Sequence, residues 1–281
     1  MVVPISFLSD FGRVDEFVGV VHGVIARIAP EVPVIDLGHD FPRGEVRPAA
    51  LALLRAIQYL PEGVVLAVVD PAVGTGRRAI AARTEWGHFV GPDNGLLAPA
   101  VAMVGGADRI VAIDNPELRI PSAGATFDGR DVFAPAAAVL ASGEAGIDDL
   151  GPPVADGSFV PLMVPLAEHR DGAVVGEVLW VDHYGNVSTN VGPDDLATIG
   201  LSPGDDVSVF FGAIEHRAPW AVAYGDVDPG VLLVHVDSSG QVALAVGGGR
   251  ADERTGLGIH VAVTFRRPSG GNRLVVRPSS T

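Results

Sequence analysis

"VPISFLSDFGRVDEFVGVVHGVIARIAP", residues 3–30, decides the fold. Its first eight residues are a short apolar run that ends on Ser9 and Asp10, and Gly12 supplies a turn. The period then changes: Phe17, Val20, Val21, Val24, Ile25 and Ile28 recur at helical spacing until Pro30 stops them. A strand, a glycine turn and an amphipathic helix make the opening unit of an α/β fold.

The same alternation continues outward. "VPVIDLGHD" (32–40) reads as a strand, "RPAALALLRAIQYLP" (47–61) as a helix and "GVVLAVVDPAVG" (63–74) as a third strand. In sheets built this way, ligands sit beyond the carboxyl ends of the strands. Asp10, His39, Asp40 and Asp70 all fall at such ends.

After about residue 165 the texture changes. "VVGEVLWVDHYGNVSTNV" (174–191), "DDVSVFFGAIEHRA" (205–218), "GVLLVHVDSSGQVALAVGGG" (230–249) and "GIHVAVTF" (258–265) are short β-rich runs between turn residues. The expected architecture is an α/β domain with a mainly parallel sheet over 1–168, then a smaller all-β barrel over 173–281. The boundary is placed in "PLAEHRDGA" (165–173), and the Ser/Gly/Pro-rich tail "RRPSGGNRLVVRPSST" (266–281) reads as loose at its end.

Composition excludes several chemistries. The 281 residues contain no Cys, which removes thiolate nucleophiles, Cys-ligated zinc and disulfides. They also contain no Lys, which removes Schiff bases and the phosphate-loop lysine. A formal charge of −15 argues against a nucleic-acid partner. No apolar run is long enough to span a bilayer, and no basic segment precedes the N-terminal apolar stretch, so a cytoplasmic protein is expected. The eight His are scattered without metal-ligand spacing, so no metal is expected. Neither a GxSxG elbow nor a dinucleotide fingerprint is present. "DPAVGTGRR" (70–78) offers a carboxylate–guanidinium pair at a strand end, which serves either a cleft or an ordinary turn.

Six ordered motifs carry a resemblance: "SDFG" followed by "DEF", "DPAVGTGRR", "GPDNGLL" (91–97), "TFDGRDVFAP" (126–135), "VDHYGNVSTN" (181–190) and "DSSGQVALAVGGG" (237–249). Together, over residues 4–265, the chain resembles the S-adenosylmethionine (SAM) hydroxide adenosyltransferases, relatives of the fluorinases and chlorinases. The resemblance implies an α/β domain followed by a β-barrel, and a homotrimer with sites at subunit interfaces. It implies no cofactor and no metal, with SAM as the substrate, cleaved at C5′ to adenosine and L-methionine. The departing sulfonium leaves as a neutral thioether, so alignment and water exclusion matter more than acid catalysis.

Residue by residue, the resemblance makes Asp10 the ligand of the ribose diol, with an N-cap of the next helix as the other reading. Asn94 falls in the matching pocket loop, where Asn-Gly is also a common turn. Asp182, Asn186 and Ser238 take the methionine moiety and the adenine edge. Tyr184 and Tyr224 are placed beside the adenine or in the barrel core, and Gly247 and Gly248 present backbone amides. Asp70 and Arg77 match two members of the family's water-holding Asp–Arg–His set. The third stands as His in "TFHGRD", and this chain has Asp128 there. Asp128 is read as the replacement partner of water or of Arg77, and Asp131 as an acidic residue at the following helix start. A SAM or adenosine binder without turnover and a halide-dependent adenosyl transferase are the other readings.

Overall fold

The computed structural model describes residues 2–212 and 214–269, so residues 270–281 of the tail lie outside the described residues. The chain divides into two compact units, Met1–Met163 and Val164–Thr281.

In the first unit, strand β1 (Ile5–Ser9) is wholly buried and leads into helix α1 (Phe17–Ile28), whose buried side chains are Val21, Val24 and Ile25. Strand β2 (Val34–Gly38), helix α2 (Val46–Ala56) and strand β3 (Val64–Val68) repeat the pattern. Strands β4 (Ala79–Arg83) and β5 (His88–Pro92), helix α3 (Ala98–Met103) and strand β6 (Arg109–Ala112) follow. A π-helical turn, Gly129–Phe133, then runs into helix α4 (Ala134–Ser142).

The sheet order is β2-β1-β3-β5-β4-β6. The first four strands are parallel; β4 lies antiparallel to both β5 and β6. The expected mainly parallel sheet is therefore present, with an antiparallel flank that the sequence pattern did not announce. Ile5, Phe7, Leu66 and Val68 pack with residues of α1 and α4, whereas Leu8, Val65 and Ala67 pack with residues of α2 and α3. Burial on both faces explains why β3 reads as an unbroken apolar run. β2 lies on one side of β1 and β3 on the other, so the order in which strands are added to the sheet reverses there. The crevice beyond the carboxyl ends of β1 and β3 is where such a sheet accepts ligands.

The second unit contains strands β7 (Glu168–Arg170), β8 (Ala173–Val181) and β9 (Val187–Thr189), helix α5 (Pro193–Thr198), and strands β10 (Asp206–Phe211), β11 (Ile214–Pro219), β12 (Leu232–Val236) and β13 (Val242–Val246). Helix α6 (Ala251–Thr255) and strand β14 (Ala262–Arg266) complete it. The strand order is β11-β10-β14-β8-β9-β13-β12, with β7 added to β8, and every pairing is antiparallel. An irregularity between Val178 and Trp180 bends β8, the longest strand. The two ends of the sheet meet where Trp220 bridges Val234 and the Ala221 N–H donates to Val234 O at 2.9 Å. The result is a nearly closed barrel around Val207, Val209, Val234, Leu244 and Phe265. Among the described residues, no helix is long and apolar enough to cross a membrane.

Candidate active site

Asp70 lies two residues past β3, and Arg77 precedes β4 at the far end of a glycine-bearing loop. Arg77 Nε donates to Asp70 Oδ2 at 2.8 Å, and its Nη2 donates to Asp70 Oδ2 and also to Asp128 Oδ2. One guanidinium thus joins two carboxylates that lie far apart in the chain. The loop approaches closely: a Cβ at Gly74, where φ is +77°, would lie 3.0 Å from Ala125 O. Beneath it, the Arg77 guanidinium lies 5.1 Å from the centre of the buried Phe133 ring. Burial opposes the charge on Arg77, but the hydrogen bonds and charges of Asp70, then Asp128, outweigh it and raise its pKa.

The two carboxylates are not equivalent. Asp70 is 5% exposed, with Oδ2 on Arg77 and Oδ1 accepting the Ala72 N–H at 3.3 Å. Asp128 is 21% exposed, and its side chain does not cap the helical turn that follows. Among the described residues, its Oδ1 has no partner. Asp131, expected at a helix start, lies in the first turn of the helical segment, where it is buried and pairs with Arg130 at 2.6 Å.

Asp10 lies one residue past β1, beside β3: its N–H donates to Val68 O at 3.4 Å. It does not cap α1, whose cap position is Glu16. Its Oδ2 accepts the Gly44 N–H at 2.7 Å. Burial, helped by the Asp70 charge, pushes the Asp10 carboxyl above its usual range, against the pull of that hydrogen bond. Asn94 is committed inside its own loop: Nδ2 donates to Val69 O at 2.8 Å and Oδ1 accepts the Leu96 N–H at 3.2 Å. It therefore ties its loop to the residue preceding Asp70.

In the second unit, "VDHYGN" forms a tight turn in which Asp182 Oδ1 and Oδ2 accept the backbone and side-chain N–H groups of Asn186 at 2.8 and 2.7 Å. Asn186 Nδ2 also donates to the Tyr224 hydroxyl at 3.3 Å. Burial, then the charges of Asp182 and Asp237, raise the Tyr224 pKa. The turn rests on α6, where the Ala251 N–H donates to Gly185 O at 3.0 Å. Asp182, Asn186 and Tyr224 thus come together. Tyr184, 75% exposed, lies against His183 rather than in the barrel core. Ser238 is exposed on the β12–β13 turn, which Asp237 holds by accepting the Ser239 and Gln241 N–H groups and the Ser188 hydroxyl. The Gly247 N–H is spent on Val231 O, whereas Gly248 is exposed with φ +65°.

Sequence reasoning passed over Gly44, whose N–H steadies Asp10, and Asp237, whose carboxylate shapes the Ser238 turn. Neither residue type carries a signal by itself; only the chain's return to the same strand ends reveals them. Among the described residues, no group of three or more His, Asp or Glu is placed to hold a metal ion.

Comparison with known proteins adds independent information. The SAM hydroxide adenosyltransferase N-terminal domain matches residues 5–151, and the C-terminal domain of the same name matches residues 176–264. An (R)-S-adenosyl-L-methionine hydrolase of Salinispora tropica is 46% identical, over 90% of this chain and 94% of its own. More distantly, a fluorinase of Nocardia brasiliensis is 27% identical, over 86% and 89%. The crystal structure of an uncharacterized conserved protein from Thermotoga maritima superposes with a TM-score of 0.83 at 37% identity, covering 94% of this chain and all of that one. Two matched domains in the right order, spread over both units, leave a single assignment: the chain belongs to the SAM hydroxide adenosyltransferase family.

Proposed function

We propose that Asp70, Arg77 and Asp128 hold and deprotonate the water that attacks C5′ of S-adenosyl-L-methionine. The protein is an S-adenosyl-L-methionine hydrolase. The C5′–S bond breaks as the C5′–O bond forms, and its electron pair leaves with sulfur, neutralising the sulfonium. Adenosine, L-methionine and a proton are released. A single observation carries the assignment of roles: one largely buried guanidinium clamps two carboxylates in the crevice beside β1 and β3. Asp70, with both oxygens engaged, suits the role of anchor for Arg77. Asp128 keeps an oxygen without a partner among the described residues and some access to solvent, which supports it as the group that orients water and accepts its proton. Two carboxylates around one cation also disfavour a halide in that place.

For the rest of the substrate, Asp10 is proposed to accept the ribose hydroxyls, since the Gly44 N–H uses only part of its acceptor capacity. Asp182 likewise retains lone pairs for the methionine ammonium. Asn186, Tyr184, Tyr224, Ser238 and the Gly248 amide are proposed as the remaining contacts. Asn94 and Gly247 shape backbone instead, because their hydrogen-bonding groups are already engaged. The proposed assembly is a homotrimer acting in the cytoplasm without a cofactor. The exposed apolar side chains of Tyr59, Met163 and Leu166 support burial in an assembly.

The test is incubation of the purified protein with SAM, with and without chloride, following adenosine and methionine by chromatography. Equal amounts of the two products, indifferent to chloride, are expected. SAM that binds and stays intact would remove Asp128 from the proton-accepting role, and Asp128→His is then the variant to assay for recovery. A product that changes with chloride would instead favour the halide-dependent transferase.

A further inference from the structure

Asp10 sits on a loop whose neighbours on both sides are gripped by one residue, His39. Ser9, fully buried at the end of β1, places its Oγ 2.7 Å from His39 Nδ1. The Phe11 N–H donates to that same Oγ at 3.4 Å, and the Gly12 N–H donates to His39 O at 2.8 Å. His39 is itself 1% exposed, one residue past β2, with the Phe7 ring 4.6 Å away. On its other side, Asp36 Oδ1 lies 3.1 Å from Nε2, without the alignment of a full hydrogen bond. Asp36 also accepts from His22 Nε2, on α1, at 2.9 Å. A carboxylate facing Nε2 favours the proton there. Nδ1 is then an acceptor, the Ser9 hydroxyl donates to it, and the Ser9 oxygen is free to accept from Phe11. Serine, histidine and aspartate in this order would suit a nucleophile, but a fully buried Ser9 reaches no substrate.

We propose that His39 is a positioning residue for substrate binding: through Ser9 and its own carbonyl it fixes the loop 9–12 and so aims the Asp10 carboxylate at the cis-diol of the ligand. This rests on the reading of Asp10 as the diol ligand, and the test separates the two. The isosteres of histidine discriminate a hydrogen-bonding role from packing. Asn places a polar atom near the position of Nδ1 but leaves the larger void, whereas Gln fills more space and places its polar atoms near Nε2. KM and kcat for SAM would be measured for His39→Asn, His39→Gln, Asp10→Asn and the Asp10→Asn/His39→Gln pair. Ser9→Ala, which removes only the hydroxyl, serves if the His39 variants do not fold. The expected result is a KM raised about tenfold in His39→Gln with kcat little changed, the scale of one lost positioning hydrogen bond. His39→Asn should be less impaired than His39→Gln, and Ser9→Ala should raise KM in the same direction. Adding His39→Gln to Asp10→Asn should raise KM no further. Greater damage from Asn than from Gln, or an effect that adds fully to Asp10→Asn, would overturn the proposal. An Asp10→Asn variant with unchanged KM would sink the diol reading, and the positioning role with it.

Discussion

At the scale of single residues, Arg77 is the point on which the chemistry proposed for the first unit depends. Its side chain is 11% exposed, and the carboxylates it joins are 5% and 21% exposed, so little water screens the group. Replacing it with Leu would leave Asp70 and Asp128 as two like charges with no cation between them. Removing one member of a buried ion pair costs about 3–5 kcal/mol, and roughly 3 kcal/mol is expected here because Asp128 is partly solvated. The fall in kcat should be at least about 100-fold, since the charged donor that holds the carboxylate proposed to bind water is gone. Non-additivity gives the sharper test. Asp70→Asn added to Arg77→Leu removes one of the two repelling charges and should restore part of the stability while leaving activity lost. Denaturant melts of the single and double variants measure this, and a double variant less stable than Arg77→Leu would show that repulsion is not the cost.

At the scale of elements, the π turn Gly129–Phe133 decides where Asp128 stands. Pro135 has no N–H to return to the carbonyl of Asp131, and that carbonyl accepts the Ile120 N–H at 3.0 Å instead. The Ala134 N–H reaches back to Gly129 O, a span of five residues, which widens the turn just after Asp128. Space there is tight: a Cβ at Gly129 would lie 2.7 Å from the Phe11 ring. Phe11 in turn packs edge-on to Phe127 with ring centres 5.6 Å apart. Gly129→Ala is therefore expected to cost about 1–3 kcal/mol by overpacking and to lower kcat, because the strain falls between the segments bearing Asp10 and Asp128. Thermal melting and turnover read the two effects; an unchanged kcat would detach the π turn from catalysis. This element also marks the limit of what the sequence discloses. The change from period two to helical spacing after Asp10 revealed β1 and α1, and the turn-punctuated β runs revealed the barrel. The π turn stayed hidden because one extra residue per turn hardly disturbs an apolar run. The antiparallel course of β4, between β5 and β6, stayed hidden too, since nothing local in "RAIAAR" sets its direction. Asp70 and Arg77 could be paired from their spacing, whereas the contact with Asp128 spans 51 positions, and only the family resemblance brought it to the same site.

At the scale of the whole molecule, two electrostatic effects compete as pH falls. The formal charge of −15 shrinks toward the isoelectric point near 4.8, which relieves self-repulsion and favours the compact state. Against this stand three histidines whose pKa values lie below the ordinary 6.5, His39 and His88 in the first unit and His235 in the second, with burial the largest cause in each. A depressed pKa means that the unfolded chain binds the proton more readily than the folded one. Their contribution to stability is therefore fully present above pH 6.5 and is lost as pH falls from 6.5 through the folded values. His235 illustrates the cause: it is 5% exposed, Nδ1 faces Val236 O at 3.3 Å, and Nε2 has no hydrogen-bond partner among the described residues. A proton added at Nε2 would be a buried, unpaired donor. Three such groups acting together, spread over both units, should outweigh the relief of surface repulsion just below neutrality, where the carboxylates on the surface have barely begun to titrate. The melting temperature is expected to fall between about pH 7.5 and pH 5.5, and His88→Gln and His235→Gln should each flatten that slope. A melting temperature that rises on acidification over this range would mean that net charge, and not the buried imidazoles, governs the stability of the fold.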